Sequence, residues 1–196
     1  REIYRHEIGT PTSKDILIFK EESEAFTVGI GLSSDEKYFF ITSSDHNTSE
    51  QYYFKADEII PKPKLIDKRK RGIIYSVNSW NGNFYKHTNE DAEDFKIEKT
   101  NDLEKKEWET FIPAREEVLI GGLIFLNDWI IRSETSNALS KLILRNPKNN
   151  EEEEIFFSDE KVIVPGVSLT QRNRNTDTVY LSYSSPKTPG RTYLYN

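Results

Sequence analysis

Short apolar runs separated by polar turns fill this sequence from end to end, and residues 118–157 show the pattern most plainly. Residues 118–125 are apolar around Gly121 and Gly122, Asn127 and Asp128 make a polar turn, and Trp129, Ile130 and Ile131 open a second run. Residues 133–137 read as a further polar break, 139–144 as a third strand, 146–150 as a turn and 154–157 as a fourth strand. Runs of this length bounded by turn residues predict a four-stranded antiparallel meander.

The same unit recurs along the chain. Trp129, which opens the second strand, is preceded by Phe84 and Phe39 at successive intervals of 45, and Tyr180 follows 51 residues later, beyond a polar insert at 171–177. Thirteen residues after each of these stand Tyr52, Ile97, Leu142 and Tyr193. Small inner-strand residues recur as Gly31, Ser76, Gly122 and Gly166, and fourth-strand positions as Leu65, Phe111 and Ile155. Four-stranded repeats of this period predict an all-β fold, a partial β-propeller of four-stranded antiparallel blades. Full blades are expected over 26–66, 73–112 and 118–157, with the end of one blade at 1–20 and a partial blade at 162–196. First strands are expected to face the axis, where Gly31, Gly122 and Gly166 would permit close approach. The partial blades and the lack of any Met predict a fragment of a larger protein.

Composition narrows the function. No run reaches the roughly 20 apolar residues of a membrane span, so no membrane partner is expected. The absence of Cys removes disulfide and thiol chemistry and points to a reducing, cytoplasmic setting. A net charge of −6 opposes phosphate-backbone binding, so nucleic acid is not expected as a partner. Lys68, Arg69, Lys70 and Arg71 form a basic run that reads as a solvated loop between blades. His6, His46 and His87 share no metal or nucleophile spacing, no phosphate loop or serine elbow occurs, and neither cofactor, metal nor catalytic residue is expected within the chain.

Four separated motifs carry a family resemblance. They are Tyr4-Arg5-His6-Glu7-Ile8-Gly9-Thr10-Pro11; Ile41-Thr42-Ser43-Ser44 with Thr48-Ser49-Glu50; Trp108-Glu109-Thr110-Phe111-Ile112-Pro113-Ala114-Arg115-Glu116; and Tyr183-Ser184-Ser185-Pro186-Lys187-Thr188-Pro189. In order and across the whole chain, these resemble signatures of the oligopeptidase B (protease II) group of prolyl oligopeptidase-family serine peptidases. Thr135 departs from that pattern, standing where relatives often carry Arg after Glu134. The resemblance implies a non-catalytic propeller fragment that gates the access of short peptides to an α/β-hydrolase domain. The parent would then be a serine-type endopeptidase cleaving after basic residues.

An autonomous propeller-like interaction module is the alternative, and the parent sequence beyond residue 196 discriminates between the two. Expected partners are the hydrolase domain, short peptides and a second copy docked through exposed end blades. Loops joining second to third strands share a rim with the loops joining successive blades. On that rim Arg115, Glu116 and Glu134 are the expected domain-interface residues.

Overall fold

The computed structural model describes residues 1–157, 163–170 and 175–196. Its regular structure is almost wholly antiparallel strand, relieved by one short 3-10 turn at Thr12–Lys14. Strands β1 (Glu2–Arg5) and β2 (Ile16–Lys20) pair as a hairpin. A four-stranded meander follows, built from β3 (Thr27–Leu32), β4 (Tyr38–Ser44), β5 (Ser49–Lys55) and β6 (Lys64–Leu65). The next comprises β7 (Tyr75–Trp80), β8 (Asn83–Thr88), β9 (Lys96–Thr100) and β10 (Glu109–Ile112). The third comprises β11 (Leu119–Phe125), β12 (Ile130–Ser136), β13 (Leu139–Arg145) and β14 (Glu152–Glu154). A three-stranded sheet of β15 (Val164–Leu169), β16 (Val179–Ser184) and β17 (Arg191–Tyr195) completes the order. The fold is therefore all-β, made of the four-stranded antiparallel sheets that the repeat predicts. Among the described residues no helix is long and apolar enough to cross a membrane. Part of the polar insert at 171–177 lies outside the described residues.

Two compact units divide the chain, residues 1–113 and 114–196. In the first, Phe40 of β4 and Ile66 meet Tyr75 and Val77 of β7, Phe84 of β8 and Leu103, so one meander packs its face on the next. In the second, Ile131 of β12 and Leu142 and Leu144 of β13 meet Val179 and Leu181 of β16. Ile131 and Val179 are almost wholly shielded from solvent, and burying each side chain contributes roughly 1.5–3 kcal/mol.

Turn chemistry sets the hairpins. Asn81 and Gly82 join β7 to β8 with φ of 49° and 77°, the paired positive values of a type I′ turn, whose twist matches the strands it connects. Asn137 and Ala138 do the same between β12 and β13, with φ of 50° and 60°. Corresponding turns elsewhere are longer, spanning 45–48, 89–95 and 184–190. The constant thirteen-residue offset therefore does not mark one register. Tyr52 pairs with Ile41, Ile97 with His87, Leu142 with Ser133 and Tyr193 with Leu181. Opposed residues share a face, and strand side chains alternate, so Leu142 lies on the same face as Trp129 whereas Ile97 lies on the face opposite Phe84.

Three local expectations are corrected. The polar stretch at 133–137 is not a break, because β12 pairs continuously with β13 from Ile130↔Arg145 to Ser136↔Leu139. The fourth strand of that sheet lies at Glu152–Glu154, ahead of 154–157, although the Ile155 N–H still donates to the Leu142 carbonyl at 2.9 Å. Close approach occurs at Gly166, but not at Gly31 or Gly122, where an added Cβ would meet nothing within 4 Å. It occurs instead at Gly121, beside the irregularity between Ile120 and Leu123, where a Cβ would lie 2.0 Å from Ser133 Oγ and 3.0 Å from the Ser133 carbonyl oxygen. Gly121→Ala is accordingly expected to cost roughly 1–3 kcal/mol in urea unfolding. Gly122→Ala next to it should stay within about 0.5 kcal/mol.

Candidate functional site

Both units turn charged side chains inward, and these networks are the most specific chemistry in the chain. In the first unit the basic run expected to be solvated folds back at Arg69. Its guanidinium donates to Glu21 Oε2 at 2.6 Å and Glu50 Oε1 at 2.9 Å, and lies over the Phe26 ring at 4.1 Å. Ser43 Oγ donates to Glu21 at 2.5 Å, and Tyr52 donates its hydroxyl proton to Glu50 at 2.7 Å. Burial opposes ionisation of Glu21, yet bonds from Ser43, Arg69 and the Ser23 N–H overcome it and bring the carboxyl down to about 2. Burial and the bond to Glu50 push the Tyr52 phenol up to about 12. The network ties the connection after β2 to the ends of β4 and β5 and to the loop after β6.

In the second unit the three expected interface residues are placed unequally. Arg115 begins a tight turn closed by the Val118 N–H on the Arg115 carbonyl at 3.2 Å, with Glu117 at φ 59°. Its guanidinium bonds Glu134 Oε1 while the side chain stays 43% exposed. Glu134 is not a loop residue: it lies within β12 and is 1% exposed. Glu116 is exposed at the turn and makes no ion pair among the described residues.

Further residues join the cluster. Arg132 Nε donates to Glu134 Oε1 at 2.8 Å, and its two terminal nitrogens grip Glu152 at 2.8 and 2.7 Å. Arg145 also bonds Glu152 and reaches Asn150 at 2.8 Å. Burial opposes the charge on Arg132, but the bonds to Glu152 and Glu134 raise its pKa above the ordinary arginine value. Glu152 is held below the usual carboxylate range because bonds from Arg132 and Arg145 outweigh its burial. The sequence signal for this cluster is Arg132 and Glu134, two apart on one strand face directly after Ile130 and Ile131.

His6 sits 2.6 Å from Asp15 with a half-exposed ring, and among the described residues no group of His, Asp and Glu is placed to hold a metal ion. The networks brace strands and present charge.

Because the folded carboxyl of Glu21 titrates near 2 against an ordinary 4.5, its contribution is present above 4.5 and lost as pH falls through about 2. The stability difference between the unaltered chain and Glu21→Gln should therefore narrow over that window in thermal unfolding. Glu134→Ala leaves the buried Nε of Arg132 without its acceptor while Glu152 keeps the terminal nitrogens, and should cost about 1–3 kcal/mol. Arg115→Ala, at an exposed partner, should cost about 1 kcal/mol or less.

Comparison with known proteins places this architecture. The family described as "Prolyl oligopeptidase, N-terminal beta-propeller domain" matches residues 1–196. Protease 2 of Moraxella lacunata is 28% identical over 197 residues, covering 100% of this chain and 28% of that protein. Dipeptidyl aminopeptidase BI of Pseudoxanthomonas mexicana is 29% identical over 202 residues, covering 100% of this chain and 27% of that protein. Among solved structures, oligopeptidase B from Trypanosoma brucei, closed and with covalently bound antipain, superposes with a TM-score of 0.89 at 25% identity, over 98% of this chain and 29% of that one. Oligopeptidase B from Leishmania major gives 0.87 at 16% identity, over 100% of this chain and 29% of that one, a likeness of fold. The chain spans under a third of the length of these relatives. Its sheets and its whole-length match make it a member of the prolyl oligopeptidase family, within the N-terminal β-propeller domain.

Proposed function

We propose that this chain is the non-catalytic propeller portion of a serine oligopeptidase that cleaves short peptides after basic residues, and that it limits access to a separate α/β-hydrolase domain. The whole-length match to the propeller family carries this reading. Hydrolysis needs a nucleophile with a positioned base, which the partner domain would supply. Each four-stranded sheet acts as a blade, with blades at 26–66, 73–112 and 118–157, the end of one at 1–20 and a partial one at 162–196. A wall of stiff sheets excludes folded proteins by size while short peptides pass.

Arg115, Glu116 and Glu134 form the contact to the hydrolase domain in this reading, each with its own part. Arg115 and Glu116 present adjacent opposite charges in solvent, while buried Glu134 holds the Arg115 guanidinium in place. Exposed charge pairs gain little and are screened by salt, which suits a contact that must open and close. Exposed apolar residues on the first hairpin and the last sheet, such as Leu17, Val164 and Leu194, support association with a neighbouring blade or a second copy.

Incubated with a fluorogenic peptide carrying Arg beside the leaving group, the 196-residue chain should give no turnover. Turnover that disappears on mutating a Ser within it would overturn the proposal. In the full-length parent, Arg115→Glu should shift the small-angle scattering profile toward the open form and raise cleavage of longer peptides relative to short ones. An unchanged profile with unchanged size preference would remove these residues from the interface.

A further inference from the structure

A cavity of about 240 Å³ in the first unit has a charge opposite to that of the chain around it. Lys68, Lys70, Lys86 and Lys106 line it against only two carboxylates, Asp67 and Glu90, in a protein of net charge −6. It lies where the loop after β6 passes the start of β7, the face of β8 and the connection into β10.

The four lysines differ. Lys86 is 5% exposed and fixed: its ammonium bonds Glu98 at 2.8 Å, stands 3.6 Å from Asp67 and sits 4.4 Å above the Trp108 ring. Lys106 reaches Asp67 at only 3.4 Å, and Lys70 pairs with Glu90 in solvent. Lys68 is exposed and has no acidic partner among the described residues. Asp67 is thus shared between two ammonium groups, and the cavity keeps an excess of positive charge.

A second feature of the wall is independent of charge. The indole N–H of Trp108 is shielded from solvent and has no acceptor among the described residues. A buried donor left unbonded costs about 1–3 kcal/mol, so Trp108, a lining residue, carries a hydrogen bond left incomplete among the described residues. The Tyr75 hydroxyl is committed elsewhere, donating to the Asp67 carbonyl at 2.6 Å, so Tyr75 offers only its ring to the cavity.

We propose that this cavity binds a small oxyanion, a carboxylate or a phosphate. Lys68 and Lys106 take its charge, and the Trp108 indole turns its N–H onto an anion oxygen. Ile73 and the Tyr75 ring supply an apolar side for the body that carries the group. The volume suits a single acidic group on a body of one residue's size, just under the range of drug-sized sites. Charge-assisted bonds to ammonium groups are among the stronger polar contacts, and their partly exposed setting makes the affinity fall with added salt. The site is built from residues of the first unit alone and does not depend on the peptidase reading.

The test labels the tryptophans of the full chain with 15N at the indole, assigns Trp108 through Trp108→Phe, and titrates inorganic phosphate, N-acetylalanine and N-acetylalanine amide in turn. The Trp108 indole resonance is expected to move downfield and saturate with at least one anion and not with the amide. The dissociation constant should rise by about tenfold or more in Lys68→Ala/Lys106→Ala, two exposed positions whose loss leaves the fold intact. Saturation by phosphate alone identifies an inorganic ligand, and saturation by N-acetylalanine identifies a carboxylate such as a peptide terminus. An indole resonance that responds to none of the three, that responds equally to the amide, or that responds unchanged in the double variant overturns the proposal.

Discussion

Strands covered on both faces have no solvent side, and this constraint governs the inner strands of the sheets. The inner strands bury neighbouring residues of both parities: β8 hides Phe84, Tyr85 and Lys86 in succession, and β12 hides Ile130, Ile131 and Arg132. Alternation of apolar and polar residues, the mark of a half-exposed strand, fades where both faces are occupied. Any charged side chain there must find its counter-charge inside the protein. Lys86 finds Glu98, Arg132 finds Glu152 and Glu134, and these pairings fix how strands, loops and rim are held.

That requirement links the interior to the proposed interface. Arg115 is a surface residue with a buried anchor, so its orientation is set by β12 and the exposed turn contributes little. Glu116 beside it has no such anchor. The two positions therefore differ in kind, one pre-oriented and the other mobile about its own side-chain bonds, although the sequence sets them side by side.

Much of this was legible in the sequence, and the errors share a cause. Apolar runs and turn residues revealed the sheets because each repeat has to bury a strand pattern and then reverse. Residues 133–137 misled because Ser-Glu-Thr-Ser normally marks a turn; only the spacing of Arg132 and Glu134 hinted that their charges were paired inward. Arg69 misled in the same way within its basic run, since nothing local reveals that Glu21, 48 residues earlier, waits for it. Gly121 and Gly122 are alike in sequence, and only the position of Ser133 across the sheet tells which of them is crowded. In each instance a distant partner decides the outcome.

The unequal turns have a mechanical consequence. In the second unit, β12 and β13 reverse through Asn137 and Ala138 alone, while β16 and β17 reverse through residues 184–190. Chain reversal puts both turns at the same end of their sheets, so that end carries a step, low beside the Arg115 turn and high at the longer reversal. In the proposed contact a flat rim would let the docked surface slide, whereas a stepped one would key it sideways, much as a shoulder locates a lid.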